Sequence, residues 1–87
     1  SGYALSQNFP NPFNPTHAFE FQVAKTGIVS VKVYDILGKE VATLVNDVKA
    51  PGTFRVTRDA SMLSSGVYFY QMRTADFSSF RKMLLVR

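Results

Sequence analysis

One histidine, six carboxylates and twelve aromatic rings are the side chains with which this 87-residue sequence could do chemistry. There is no cysteine, so no thiolate can act as nucleophile or zinc ligand and no disulfide staples the fold. His17 stands in "HAFEF" without an Asp or Cys nearby to orient it, and reads as a satisfied histidine at the rim of a core rather than a general base. Asp35, Asp47 and Asp59 fall at turns and strand ends with no D-x-D-x-D-G loop, which argues against a calcium site. The glycines of "TG" and "SSG" do not build a phosphate-cradling loop. We therefore expect no catalytic residue, no metal and no cofactor.

The run "VYFYQMR", with Arg73, Arg81 and Lys82 nearby, has the ingredients of an aromatic platform for single-stranded nucleic acid. Strand alternation speaks against it. Tyr68, Tyr70 and Met72 share one face, which is a core composition with hydroxyls reaching the rim, and no basic stripe accompanies them. Tyrosines can also stack on sugars, but the sequence lacks tryptophan, the commonest sugar platform. A carbohydrate-binding or structural accessory module of an extracellular enzyme is the alternative from a different class.

The elements that would position these residues are strands. "HAFEFQV" alternates, with Phe19, Phe21 and Val23 on one face and Ala18, Glu20 and Gln22 on the other. "IVSVKVYD" repeats the pattern with Val29, Val31 and Val33 inward, and the turn Asp35-Ile36-Leu37-Gly38 returns the chain as "KEVATLV". Gly38 suits a type I turn closed by a glycine bulge. After Pro51-Gly52, "TFRVTR" offers Phe54 and Val56 to the core, and Asp59 to Gly66 is a loop with room for one 3₁₀ turn. "VYFYQMR" and a closing "FRKMLLVR" that runs to Arg87 complete six strands, with a seventh at Tyr3–Gln7. We expect an all-β fold: an antiparallel β-sandwich, immunoglobulin-like or fibronectin-like, of about seven strands.

One core suffices for a chain of this length. With 46% apolar and 18% charged residues the composition is that of a folded domain. Ser1-Gly2 reads as a tag remnant, and residues 3–87 as the domain. Residues 1–48 carry three basic against four acidic residues and residues 49–87 seven against two, a bias that attracts anionic partners or simply keeps the surface solvated. No window reaches the apolar length of a membrane span and no signal peptide opens the chain, so we expect no membrane insertion and an export signal, if any, on a longer parent chain. "FPNPFNP" is expected to be a stiff, extended crossover from an edge strand to the opposite sheet. Phe9 and Phe13 would plug the core while Asn11 and Asn14 bond locally.

Four blocks, "YALSQNFPNPFNPTHAFEF", "VSVKVYDILGKEVATLV", "APGTFRVTRDASMLSSGVYFYQMR" and "FRKMLLVR", together resemble the type A C-terminal sorting domain of the type IX (Por) secretion system, over Tyr3 to Arg87. "NFPNPFNP" departs from the usual motif only in Phe9 for Tyr. The resemblance implies a non-catalytic signal that directs an N-terminal passenger across the outer membrane. Its partners would be the outer-membrane type IX translocation machinery and a surface sortase, with anionic lipopolysaccharide reached through the passenger and no nucleic acid. The route would be the periplasm in transit, then the cell surface or the extracellular space. The family motifs fall on Pro10, Asn11, Pro12, Phe13, Asn14 and Pro15, on Tyr34, Asp35, Gly38 and Lys39, and on Gly66 and Tyr68, all expected to be structural. The closing motif falls on Lys82, Met83, Leu84, Leu85, Val86 and Arg87, with arginine where lysine is commoner last. There we expect partner recognition through an exposed edge ladder and two solvated basic ends.

Overall fold

Alternating apolar residues become strands that bury one face each. The structure, a computed structural model, describes residues 2–87; Ser1 of the expected tag remnant lies outside the described residues. The strands are β1 (Ala4–Leu5), β2 (Thr16–Val23), β3 (Gly27–Tyr34), β4 (Glu40–Lys49), β5 (Gly52–Asp59), β6 (Gly66–Arg73) and β7 (Ser78–Leu85). Among the described residues there is no helix. Two antiparallel sheets, ordered β1-β2-β5 and β4-β3-β6-β7, pack face to face as the expected sandwich.

Between them lie Phe19, Phe21 and Val23 of β2, Val29, Val31 and Val33 of β3, Tyr70 and Met72 of β6, and Met83 and Leu85 of β7, all buried. Phe19 tilts against Tyr70 with ring centroids 5.1 Å apart. The Tyr70 hydroxyl donates to the Ser6 carbonyl at 2.6 Å, tying the first layer's N-terminal segment to the second layer. Burial pushes this phenol up to about 12, so it keeps its proton for that bond. Phe54 and Val56 are only half-buried, because β5 is the last strand of its sheet.

The β3–β4 hairpin closes as its sequence requires. Gly38 N–H donates to the Asp35 carbonyl at 3.0 Å, Asp35 N–H donates to the Lys39 carbonyl at 2.9 Å, and Gly38 sits at φ 83°. A Cβ at Gly38 would meet nothing within 4 Å, so the backbone conformation alone calls for glycine here. The Asp35 carboxylate accepts from the amides of Leu37 and Lys39, each at 2.9 Å.

The chain departs from expectation at several points. β4 runs on to Lys49, beyond "KEVATLV", and β7 stops at Leu85, because Val86 and Arg87 bond outside the sheet. Ala18, placed outward by alternation, is buried, and its backbone exchanges two hydrogen bonds with that of Phe9 at 2.8 and 2.9 Å. The proline-rich segment leaves the edge strand and reaches the opposite sheet as expected, where Phe13 bridges Leu85 of β7, but it does not stay there: the next strand, β2, returns to the first layer as the neighbour of β1. Phe13 plugs the core at 1% exposure, but Phe9 is 39% exposed with the Arg55 guanidinium 4.9 Å from its ring centre. The local bond is made by Asn8, whose Nδ2 donates to the Pro10 carbonyl at 3.2 Å. Asn11 instead reaches the last strand, and Asn14 is exposed.

Candidate functional site: the end where the motifs meet

Pairing register brings the four family motifs to one end of the sandwich. Tyr34 at the end of β3 lies opposite Phe69 of β6, and Phe69 lies opposite Lys82 of β7. Val67 faces Leu84, Gly66 faces Leu85, and Phe13 forms a parallel bridge with Leu85. The Asp35–Lys39 turn, the proline segment, the start of β6 and the end of β7 therefore adjoin. Tyr68 is buried and its hydroxyl donates to the Ser64 carbonyl at 2.7 Å, fixing the loop before β6.

β7 is an edge strand of its sheet, as expected, but its ladder is not exposed here. Phe13 N–H donates to the Leu84 carbonyl and Val86 N–H donates to the Phe13 carbonyl, both at 2.9 Å. Asn11 Oδ1 accepts from Leu84 N–H at 3.0 Å, and Gln7 Nε2 donates to the Lys82 carbonyl at 2.6 Å. The proline segment thus occupies the edge that strand addition would need. A segment whose prolines lack N–H groups can still cover an edge if its other residues bond, and Asn11 and Phe13 are the ones that do. Pro10 and Pro12 are exposed, and the half-buried Pro15 accepts from Ala60 N–H at 3.0 Å.

Within β7, Met83 and Leu85 point into the core and Lys82 and Leu84 outward. Arg87 is exposed as expected, but it is also tied to the fold. Its guanidinium donates to the carbonyls of Ser61 and Leu63, and its amide donates to Ser65 Oγ at 3.0 Å. It pins the 60–65 loop to the end of β7, so Lys82 and Arg87 are not equivalent.

Beside Lys82 and Leu84, the outer face of the larger sheet carries rings that the sequence reading does not single out. Phe69 and Phe80 meet edge-on with centroids 6.3 Å apart, and Phe80 is 65% exposed. With Tyr34, Ile36 and Gln71 they line a depression of about 270 Å³ beside the Asp35–Gly38 turn. The signal was parity: Phe69 alternates away from Tyr68 and Tyr70, and Phe80 away from Met83. An apolar, partly aromatic surface bordered by a lysine suits contact with another protein rather than a small-molecule reaction. Among the described residues, no group of three or more His, Cys, Asp or Glu is arranged to hold a metal ion.

Residues 7–86 match the family described as the secretion system C-terminal sorting domain. The chain belongs to that family, the sorting domains of type IX secretion. No curated protein and no solved structure matches it. The sorting domain's motifs thus fall on a latch, a turn and two paired strands at a single end. Membership implies export to the cell surface or the extracellular space, and dealings with the secretion machinery and a passenger.

His17 belongs to the sorting domain's core rather than its rim. It is 3% exposed, its ring centre lies 4.2 Å from that of Phe13, and its buried Nδ1 lacks a hydrogen-bond partner. Burial lowers its pKa below the ordinary value near 6.5. The unfolded chain therefore takes up this proton at higher pH than the folded one. The stability attached to neutral His17 is complete above the unfolded value and is lost as pH falls through the lowered one. Urea unfolding should show stability falling as the pH drops below the ordinary histidine value, a loss absent in His17→Leu. Equal pH dependence in the two proteins would assign it to other groups.

Proposed function

We propose that this domain is the non-catalytic address label of a longer exported protein. It is read by the outer-membrane type IX translocation machinery after its passenger has reached the periplasm, and it directs that passenger to the cell surface or beyond. Attachment would follow removal of the domain by a surface sortase that joins the passenger to anionic lipopolysaccharide. One observation carries the reading: all four family motifs converge on one end, where Lys82 and Leu84 face outward on the face that carries Phe69, Phe80 and Tyr34. The opposite end receives the N-terminal chain, since Ala4 pairs with Gln22 near the far end of β2. A passenger joined there stands clear of the motif end.

The test is a fusion of residues 3–87 to the C-terminus of an inert fluorescent protein carrying an inner-membrane export signal, in a host with type IX secretion. Fluorescence should reach the surface or the medium, and Lys82→Gln should reduce it at unchanged melting temperature. A fusion that folds but stays in the periplasm would overturn the proposal. Arg87 is left intact in this test because its carbonyl bonds make it part of the fold.

A further inference from the structure

The edge formed by β7 and the residue after it is closed by few bonds and one ring. Its outward main-chain groups are engaged by residues 7–13: the Lys82 carbonyl by Gln7 Nε2, the Leu84 amide by Asn11 Oδ1, the Leu84 carbonyl by the Phe13 amide, and the Val86 amide by the Phe13 carbonyl. Two of these four bonds come from side chains, so the segment covers the edge without forming a regular ladder on it. Its hold on the core is equally narrow. Phe9, Pro10 and Pro12 are exposed, and Phe13 is the segment's buried ring.

That ring rests on the one histidine of the chain. The ring centres of Phe13 and His17 lie 4.2 Å apart, and His17 is buried with no partner for Nδ1. Both nitrogens of an imidazolium carry a proton, so charging this ring leaves a buried N–H without an acceptor, whichever nitrogen is protonated first. The surroundings offer no relief. β3, β4, β7 and the 60–65 loop present apolar side chains to the ring's end of the sandwich, among them Val33, Val41, Leu63 and Met83. The charged neighbours are on β5. Arg58, opposite His17 in the register, is itself a cation, and its guanidinium donates to the Leu44 and Thr57 carbonyls. Asp59 accepts the Ser61 amide, and its bonds to Ser61 together with the Arg87 charge keep its pKa below the ordinary value. Burial is what lowers the pKa of His17. The ring also borders a cavity of about 290 Å³, but Nδ1 itself stays buried. Hydration of that nitrogen therefore requires a covering group to move, and Phe13 is the ring packed on it.

We propose that the segment from Gln7 to Phe13 is an acid-released latch on the β7 edge. Protonation of His17 displaces Phe13 from the imidazole. Its departure breaks the bonds to Leu84 and Val86 and bares the main-chain row that strand addition needs. The rest of the sandwich stays paired, since β2 keeps β5 and β7 keeps β6. The latch is a property of the fold and does not rest on the sorting role.

The test is amide hydrogen exchange of the ¹⁵N-labelled domain as the pH is lowered through the histidine range, corrected for the intrinsic pH dependence of exchange. Protection of the Phe13, Leu84 and Val86 amides should fall severalfold relative to the amides of the central strands β3 and β6. The fall should follow the titration of the His17 ring, whose signals are unambiguous in a chain with one histidine. His17→Leu should abolish it. Should that variant fail to fold, the native domain still decides the matter. Latch and central-strand protection that fall together would overturn the proposal, and so would latch protection that stays constant while the ring titrates. An equal fall in His17→Leu would overturn it too, by placing the responsible proton elsewhere.

Discussion

Phe13→Ala is expected to destabilise the domain by about 3–5 kcal/mol, the range for emptying a buried aromatic site. In a domain of this size that is roughly 12–40 °C in melting temperature. Phe13 is 1% exposed and packs on the His17 ring, and its main chain holds Leu84 and Val86. Truncation therefore opens a cavity at the point where the N-terminal segment is fastened to the last strand. Phe9→Ala is the control from the same motif. Its ring is 39% exposed, so the loss should stay below about 1 kcal/mol. Thermal and urea unfolding of both variants would check this, and equal losses would show that Phe13 is not the anchor.

The second large effect separates stability from export within two adjacent residues. Leu85 is 1% exposed, and Leu85→Ala should cost about 2–5 kcal/mol and reduce export only through loss of folded protein. Leu84 is 38% exposed on the outer face, and Leu84→Asp should cost less than about 1 kcal/mol. It places a carboxylate on the outer face that carries Phe69, Phe80 and Lys82, so secretion of a fluorescent fusion should fall by about tenfold or more while the melting temperature barely moves. Normal secretion of Leu84→Asp would remove the outer face from consideration as the recognised surface.

What could be read from the sequence was what has a short period. Alternation in "HAFEFQV", "IVSVKVYD" and "VYFYQMR" gave the strands and their core faces, because one-residue steps reverse a side chain's direction. The Asp35–Gly38 turn was legible for the same local reason. The proline segment was not, because its partners lie far along the chain: Asn11 bonds Leu84, Gln7 bonds Lys82, and local rules assign such side chains to their own neighbours. The same distance hid Arg87, whose charge reads as a solvated end until the 60–65 loop is seen folded against it. His17 was misplaced because strand parity says which face a residue takes but not how deeply an end of the sandwich is plugged. The outer-face rings follow from the same parity, since Phe69 alternates away from Tyr68 and Tyr70, and Phe80 away from Met83.

The latch between the first and last segments also sets how the domain bears a load. β1 and β7 run in the same direction, joined by Arg81 Nε donating to the Leu5 carbonyl at 3.0 Å, by Gln7 to Lys82 and by the parallel Phe13–Leu85 bridge. The N-terminal chain leaves at one end of a molecule 37 Å long and Arg87 lies at the other. A pull on a passenger at the N-terminus, resisted at the C-terminus, drags these two segments past each other. Their hydrogen bonds are then strained together in shear instead of being peeled apart singly. A folded domain tethered in that geometry yields only when several bonds fail at once, so its lifetime under tension is set by a high barrier to unfolding rather than by its equilibrium stability.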